Sequence, residues 1–312
     1  MVKENTALMG TFCEIKVRLC PDHDPHAVKA DLTACFALGR EVESCLSIYR
    51  SDSPISRFNR WPVGQDFHAE PLLLEALLLC QRAYSLSDGA FDPTVKPLLD
   101  LWGFYRKENG RVPDPAAIQA CLKNVGLRYL VIDEPRGVLR KQRGIQLDLG
   151  GIGKGFAVDK MSAWLSQKGY RHFIVNLGGN LYVSGMWTAD KQWRIGIKDP
   201  LGGPRPIKVV AVQDKGISTS ASYYNYMDIN GKTYSHIIRP STGMPVDHRL
   251  SVTLIGSSAG LMDGLTTGFA VIGLKASLAK AAAMDNLEGI LFLENQGALD
   301  EFPIGRFAEH VR

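Results

Sequence analysis

The segment that organises this chain spans residues 147–159 and reads Leu-Asp-Leu-Gly-Gly-Ile-Gly-Lys-Gly-Phe-Ala-Val-Asp. Apolar residues alternate at Ile145, Leu147 and Leu149, which predicts a strand over 145–149. Four glycines then occupy six positions, and a helical pattern of apolar residues follows them. Glycines let backbone approach a ligand closely, and the first turn of a helix offers N–H groups to an anion. The segment therefore predicts either a phosphate-binding loop or a tight strand-to-helix turn without a ligand.

Two familiar phosphate-binding motifs can be tested on this segment, and neither fits. A Walker A loop needs a glycine where this chain has Asp148, and a Ser or Thr where it has Gly155. A dinucleotide-binding fingerprint needs a small residue at the position of Phe156. The segment therefore belongs to neither a P-loop nor a Rossmann turn.

The totals of the sequence are those of an ordinary globular protein. Of its 312 residues 45% are hydrophobic and 22% charged, enough for one elaborate domain or two intimate lobes. The net charge of +4 arises from interspersed residues of both signs, so we expect no nucleic-acid partner. No apolar stretch reaches the roughly 18 residues that a membrane-spanning helix needs, so we expect no such span.

Helical and strand patterns mix along the chain without a regular βαβ order. Helices are predicted over 26–47, 71–86, 116–125, 258–272 and 276–284. Strands are predicted over 11–19, 127–133, 172–177, 181–185, 193–198, 207–213 and 250–255, with a final strand over 289–294. Asn230-Gly231 predicts a hairpin between 223–229 and 232–238, and 49–59 reads as a polar loop. We therefore predict an α+β fold with mixed, largely antiparallel sheets flanked by helices.

Two oxygen-bearing side chains on the predicted helix 258–272 are candidates for a metal site. Asp263 and Thr267 are four residues apart, which places both on one helix face, one turn apart. Magnesium often takes few protein ligands and completes its octahedron with water and substrate phosphate. The alternative is an exposed Asp and a Thr bonded to its own helix. Helix glycines at 260, 264 and 268 indicate that another element packs closely there.

Other side chains suggest the remaining parts of a site. His236 ends the second strand of the predicted hairpin, where a neutral imidazole could take a proton from an attacking hydroxyl, although a lone histidine can also be structural. Asp148 could bond a ligand, bond the backbone of the loop, or cap the strand. Tyr49, Phe91 and Phe156 could enclose a flat ring or belong to the core.

Together these motifs resemble one protein family, the FAD:protein FMN transferases, also called ApbE-like flavin transferases. The resemblance covers the chain from Met9 to about Gly273 and keeps the order of the family's motifs. The matching pieces are Met9-Gly10-Thr11, the 49–59 loop, Gly89-Ala-Phe-Asp-Pro-Thr94, the loop 148–159, Asn176-Leu-Gly-Gly-Asn180, Trp193-Arg-Ile-Gly-Ile-Lys-Asp-Pro200, Ile217-Ser-Thr-Ser220, Ser235-His-Ile-Ile-Arg-Pro-Ser-Thr-Gly243 and 263–267.

The resemblance implies an enzyme that uses Mg²⁺ and takes FAD as its substrate. Such an enzyme transfers FMN through a phosphoester bond to a Ser or Thr of a target flavoprotein and releases AMP, and its flavin site lies in a cleft between two closely packed lobes. Asp263 and Thr267 match side-chain ligands of the metal, Gly153 matches a position whose backbone carbonyl joins them, and His236 matches the proposed catalytic base. The positions that match flavin-nucleotide contacts are Met9, Tyr49, Ala90, Phe91, Asp92, Gly150 and Phe156, with Asn59 near the nucleotide.

Two departures from the family's pattern affect these expectations. Arg239 stands where the family usually has Asp, and Ala221-Ser222 stands where Gly-Asp is usual. If the family's Asp orients the histidine or helps to bind the metal, its replacement would change the pH dependence of the reaction or the affinity for the metal. Arg239 could instead contact phosphate directly. Two other activities use the same residues or fewer of them: a Mg²⁺-dependent FAD pyrophosphatase that yields FMN and AMP, and a flavin-binding carrier without turnover.

The expected compartment depends on the resemblance. Most of the family is exported, often with a lipid anchor, so we expect the mature part of an exported protein on the periplasmic side. Membrane contact is then expected only through a lost anchor or a membrane-bound target. The alternative is the cytoplasm, since no export signal is visible and six cysteines favour a reducing compartment.

Overall fold

The centre of the molecule is an eight-stranded antiparallel sheet. The computed structural model describes residues 1–105, 111–222 and 226–312. The strands are β1 (Val2–Leu8), β2 (Thr11–Val17), β3 (Asp66–His68), β4 (Leu130–Asp133), β5 (Val138–Lys141), β6 (Phe173–Leu177), β7 (Asn180–Ser184), β8 (Trp193–Ile197), β9 (Lys208–Val212), β10 (Lys215–Ala221), β11 (Tyr226–Ile229), β12 (Lys232–Ser235), β13 (Leu250–Gly256), β14 (Glu288–Asn295) and β15 (Ala298–Ile304). The large sheet has the order β1-β2-β6-β7-β10-β13-β14-β15, and β3-β5-β4, β8-β9 and β11-β12 form smaller sheets.

Helices cover the sheet, and several of them begin at conventional start signals. They are α1 (Pro25–Leu46), α2 (Pro54–Arg60), α3 (Pro71–Leu86), α4 (Lys96–Trp102), α5 (Pro115–Leu122), α6 (Gly153–Gln167), α7 (Ala259–Ile272), α8 (Leu274–Ala282) and α9 (Phe307–His310). Asp24, Ser53 and Asp114 each cap a helix whose first residue is proline, a position where its missing N–H costs nothing. Among the described residues, no helix has the length and apolar character needed to cross a bilayer.

The two faces of the large sheet bury separate hydrophobic clusters. Residues of β2 such as Cys13, Ile15 and Val17 point to one face and pack with α1, α3, α6 and α7. On the other face, residues such as Val183 and Phe292 pack with the hairpin β8–β9 and with α9. This division follows from the two-residue period of a strand, which sends successive side chains to opposite faces. Both faces of the sheet are therefore covered, which accounts for the burial of every residue of β13.

A third cluster lies apart from the sheet and carries the hairpin β11–β12. Trp102 of α4 is buried there, and its indole N–H donates to the carbonyl of Gly243 at 2.9 Å. The ring of Tyr234 on β12 lies 5.2 Å from the Trp102 ring, centroid to centroid. The α4–α5 helices thus hold the hairpin and the loop that follows it. The predicted α+β class with largely antiparallel sheets is confirmed.

Some sequence predictions need correction. Residues 145–149 pair with no strand, although Leu147 is fully buried. The 49–59 loop contains α2, because Ser53 caps a helix that Pro54 begins. The final strand is β15 rather than the segment 289–294, which lies in β14. The first three residues of the predicted hairpin, 223–225, lie outside the described residues.

Candidate active site

A cavity of about 440 Å³ lies where the third cluster meets the main core. Its walls come from the glycine segment, from α7, from the ends of β7 and β10, and from the residues after β12. The residues that line it include Tyr49, Ala90, Phe91, Asp92, Tyr105, Asp148, Gly150, Gly151, Lys154, Asn180, Ser220, His236, Ile238, Asp263 and Thr267. Most of the residues predicted for the site therefore surround one space.

The beginning of the glycine segment is held by side chains rather than by a neighbouring strand. The amide of Asn59 bonds both backbone groups of Leu147, with N···O distances of 2.8 Å and 2.7 Å. One carboxylate oxygen of Asp148 accepts from the N–H of Gly150 at 2.8 Å, and the other accepts from the hydroxyl of Tyr105. Burial raises the pKa of Tyr105, and the Asp148 carboxylate raises it further, so the phenol stays a donor. These bonds fix the loop before any ligand arrives.

The end of the segment is fixed to the first turn of α7. The carboxylate of Asp159 accepts hydrogen bonds from the N–H groups of Ala259 at 2.8 Å and Gly260 at 2.9 Å, and from the hydroxyl of Ser258 at 2.6 Å. These N–H groups have no partner within their own helix, so the carboxylate supplies a cap from another element. The glycine segment and α7 are thus joined as one unit.

Close backbone packing holds the same two helices together. A Cβ atom on Gly155 would lie 2.4 Å from the carbonyl oxygen of Ala259 and 2.7 Å from the Cα of Gly260. On α7, a Cβ atom on Gly264 would lie 2.8 Å from the side chain of Ala83 in α3, and one on Gly268 would lie 2.8 Å from Ser87. The close packing expected from the glycines of α7 is therefore confirmed, against both α6 and α3.

Asp263 is a buried carboxylate at the wall of the cavity. It is only 3% exposed, and its Oδ2 accepts from the N–H of Gly155 at 3.0 Å. Burial raises the pKa of Asp263, and the Lys154 ammonium and the Gly155 N–H oppose that rise. An acid in this position is stabilised in its charged form by a cation that enters the cavity. The alternative of an exposed Asp is therefore wrong.

Thr267 lies one turn further along α7 and is surrounded by oxygen atoms. Its hydroxyl donates to the carbonyl oxygen of Asp263 at 3.2 Å, so the alternative of a Thr bonded to its own helix is confirmed for this residue. The same hydroxyl lies 3.4 Å from the carbonyl oxygen of Gly151 and 3.3 Å from the hydroxyl of Ser220. The set of one carboxylate, a hydroxyl and a carbonyl consists of hard oxygen ligands and suits Mg²⁺ with water or phosphate completing its shell. No group of three or more His, Cys, Asp and Glu side chains that could hold a metal occurs in the described ranges.

His236 also lines the cavity. It follows β12 directly, is half-buried, and lines the same space as Asp263 and Thr267. The hairpin β11–β12 is positioned by the third cluster, so base and metal candidates come from different parts of the fold. The prediction that this strand end points to a cleft is confirmed.

The chain matches the ApbE family model over residues 9–291. It is 34% identical over 277 residues to an FAD:protein FMN transferase of Klebsiella pneumoniae, covering 85% of this chain and 77% of the relative. It is 34% identical over 294 residues to the FAD:protein FMN transferase of Treponema pallidum, covering 87% and 79% respectively. This chain belongs to the ApbE family.

Solved structures of ApbE proteins have the same architecture. The flavinyl transferase ApbE of Pseudomonas stutzeri superposes with a TM-score of 0.89 at 31% identity, covering 99% of this chain and 96% of that one. The flavin transferase ApbE of Vibrio cholerae gives a TM-score of 0.88 at 30% identity, covering 99% and 98%. The resemblance inferred from the motifs is confirmed.

The segment 89–94 of the ApbE fold contributes both lining and support. Ala90 and Phe91 line the cavity, and the exposed ring of Tyr49 stands over it, edge-on to Tyr105. Asp92 is buried, and its two oxygens accept bonds from Thr94 and from the N–H of Leu127 at 3.1 Å. Burial raises the pKa of Asp92, and these hydrogen bonds oppose the rise. Its carboxylate therefore holds the segment in shape from within the cavity wall.

Several residues that the ApbE resemblance implied do not line the cavity. Gly153 is not among the lining residues, and the backbone carbonyl beside the Thr267 hydroxyl is that of Gly151. Phe156 is in the core and so does not enclose a ring together with Tyr49 and Phe91. The other residues outside the lining are Met9, whose N–H bonds Glu43, and Asn59, which supports the glycine segment.

Arg239, the departure from the ApbE pattern, is turned towards its own loop. Its guanidinium donates to the carbonyl of Pro245 at 3.1 Å and to the carboxylate of Asp247 at 2.5 Å, and it holds the pKa of Asp247 below its usual range. It does not line the cavity, so the direct phosphate contact considered from the sequence is not what this geometry provides.

Sequence reasoning missed Lys154, Ser220 and Asn180, which all line the cavity. Lys154 belongs to a Gly-Lys pair, but the other residues of a Walker A loop are missing, so the sequence alone does not mark this lysine as a ligand contact. Ser220 and Asn180 lie in motifs that carry the resemblance, but strands that end in polar residues give no periodic signal that marks a site.

Proposed function

We propose that this protein transfers the FMN moiety of FAD to a Ser or Thr hydroxyl of an acceptor flavoprotein through a phosphoester bond, in a Mg²⁺-dependent reaction that releases AMP. One observation carries the proposal: a buried carboxylate, a threonine hydroxyl and a backbone carbonyl surround one corner of a cavity that Lys154 and His236 also line. The names of the relatives, FAD:protein FMN transferase, support the transfer of FMN from FAD to a protein.

The residues divide the work of binding between them. Asp263, Thr267 and the carbonyl of Gly151 would hold Mg²⁺, which when bound neutralises charge on the pyrophosphate. The Lys154 ammonium adds a second positive charge next to the glycine segment. Tyr49 and Phe91 offer aromatic surface to the flat rings of FAD. Because the glycine segment is held by Asp148 and Asp159, little reorganisation is needed when the substrate binds.

His236 would act as the general base. A ring nitrogen takes the proton of the acceptor hydroxyl while its oxygen attacks the phosphorus of the FMN half. The P–O bond to the AMP phosphate breaks, AMP leaves with the electron pair, and the proton passes from His236 to solvent. A positioned base of this kind contributes roughly 10²- to 10⁴-fold in rate.

The experiment is incubation with FAD, Mg²⁺ and a library of Ser- and Thr-containing peptides, followed by measurement of AMP and mass spectrometry of the peptides. A peptide that gains FMN, with loss of labelling in Asp263→Ala and His236→Ala, supports the proposal. Asp300→Ala, at an exposed position on β15, is the matched control and should label normally. AMP release without any labelled peptide would overturn the transfer step in favour of FAD hydrolysis, and tight FAD binding without AMP would favour a carrier.

A further inference from the structure

Asn180 is a buried polar residue at the edge of the cavity with no role assigned so far. It begins β7, directly after a tight turn in which Gly178 and Gly179 have positive φ angles of 60° and 93°. The turn is fixed by a bond from the Gly178 N–H to the carbonyl of Phe12 at 3.0 Å and by one from the Gly179 N–H to the side chain of Asn176 at 3.0 Å. The backbone that leads into Asn180 is therefore fixed.

The side-chain oxygen of Asn180 has no hydrogen-bond partner. The residue is 3% exposed, and within the described ranges the only other buried side-chain atoms without a partner belong to Arg18, Glu70 and Ser162, none of which lines the cavity. A buried acceptor without a partner opposes folding, and an apolar residue of the same size would avoid that cost. The oxygen is accounted for if a ligand in the cavity donates to it.

The strand register places Asn180 next to the oxygen atoms around Thr267. Leu181 pairs with Ile217 of β10, and the side chain of Ser220, further along β10, is 3.3 Å from the Thr267 hydroxyl. By alternation, Asn180 and Tyr182 point to the face that carries α6 and α7. In this antiparallel register Asn180 stands across from Ser218, which is two residues from Ser220 on β10. The backbones of Asn180 and Ser220 are therefore about 8 Å apart. Asn180 is therefore within reach of the groups that flank a pyrophosphate held there.

The chemistry of those groups limits what can donate to Asn180. The pyrophosphate itself has only acceptor oxygens, and the acceptor hydroxyl gives its proton to His236 in the proposed reaction. The nearest donors on FAD are the sugar hydroxyls on either side of the pyrophosphate, those of the ribityl chain in the FMN half and those of the ribose in the AMP half.

We propose that Asn180 is a substrate-positioning residue whose Oδ1 accepts a hydrogen bond from a sugar hydroxyl next to the FAD pyrophosphate. This inference rests on the proposed function only in taking FAD as the ligand. It assigns Asn180 to binding and orientation of the dinucleotide, since a fixed acceptor beside the pyrophosphate restricts how the reacting phosphorus faces His236.

The test is the affinity of Asn180→Leu and Asn180→Ala for FAD, FMN and AMP, measured by calorimetry with Mg²⁺ present. Both variants remove the acceptor without creating an unpaired group, so both are expected to fold as the wild type does. We expect the Kd for FAD to rise about 3- to 10-fold, the effect of one neutral hydrogen bond. The Kd for either FMN or AMP should rise in parallel, which identifies the sugar.

The control is Asn295→Leu, the same change at an exposed end of β14, which should leave all three affinities unchanged. An FAD Kd within twofold of wild type in both Asn180 variants would overturn the inference. It would do so even if the KM for a labelled peptide rose in these variants. A different result would refute the proposed transfer: wild-type protein that binds FAD but labels no peptide. In that case the comparison of FAD affinities still decides the role of Asn180.

Discussion

Replacement of Asp159 by alanine tests how α7, the helix that carries Asp263 and Thr267, is held. The carboxylate bonds two N–H groups and one hydroxyl at the start of α7, at 2.6 to 2.9 Å. A hydrogen bond to a charged group contributes about 1.5–3 kcal/mol, and the two N–H groups would lose their partner. Burial raises the pKa of Asp159, which shows that its charged form bears a desolvation cost and lowers the net gain. We expect Asp159→Ala to lower the free energy of unfolding by about 3 kcal/mol.

The measurement is urea unfolding followed by tryptophan fluorescence, with Asp24→Ala as the control. Asp24 also caps a helix, but its bonds to the N–H groups of His26 and Ala27 are exposed, so about 1 kcal/mol is expected. Because α7 carries Asp263, Asp159→Ala should also weaken AMP release in the proposed reaction, whereas Asp24→Ala should not. Equal losses of stability in the two variants, or a loss below about 1 kcal/mol for Asp159→Ala, would refute the reasoning.

Three other substitutions test the support of the cavity. Gly155→Ala should lower the free energy of unfolding by about 3 kcal/mol, the upper end for overpacking, because its Cβ would lie 2.4 Å from the Ala259 carbonyl oxygen. Asn59→Ala should lower it by about 2–3 kcal/mol in urea unfolding, because both bonds to Leu147 are lost. Asp92→Asn removes a carboxyl whose pKa is raised by burial in the folded state. The stability of the wild type relative to this variant should be greatest below about pH 4 and fall as pH rises through the raised pKa.

The first two of these expectations have a matched control, and all three have a contradicting result. Gly144→Ala meets only the Asn124 side chain at 3.4 Å and should be tolerated; a Gly155→Ala variant as stable as this control would show that the helices can separate. Asn295→Ala, at an exposed strand end, should be neutral, and a similarly neutral Asn59→Ala would mean that water replaces the amide. A stability difference for Asp92→Asn that grows with pH would show that its hydrogen bonds outweigh burial.

Much of the fold could be predicted because periodicity and start signals are local. The helix predicted over 71–86 is α3, which begins at Pro71, and the alternation of Cys13, Ile15 and Val17 marks β2. β1 and β15 were missed because they are edge strands of the large sheet and carry polar residues such as Lys3 and Asp300. The segment 145–149 has the alternation of a strand, but its partner is a side-chain amide, which no pattern of strands predicts.

Site residues could be predicted from the sequence where they belong to a recognisable motif. They could be predicted less well where the packing of the folded chain determines which group lines the cavity. Asp263, Thr267 and His236 converge on one cavity, as the motifs implied. The choice between Gly151 and Gly153 depends on the first turn of α6, which the order of glycines does not determine. Asn180 is significant only because its oxygen lacks a partner, and such an absence is visible only once the neighbours are in place.

The backbone contact between Gly155 and the start of α7 bears on how far sequences of this kind can diverge. The distance between the glycine segment and Asp263 is set by main-chain atoms and one N–H donor, with no side chain acting as a spacer. Surrounding core residues can then drift in evolution without altering that distance, provided that the two glycines and the acid remain.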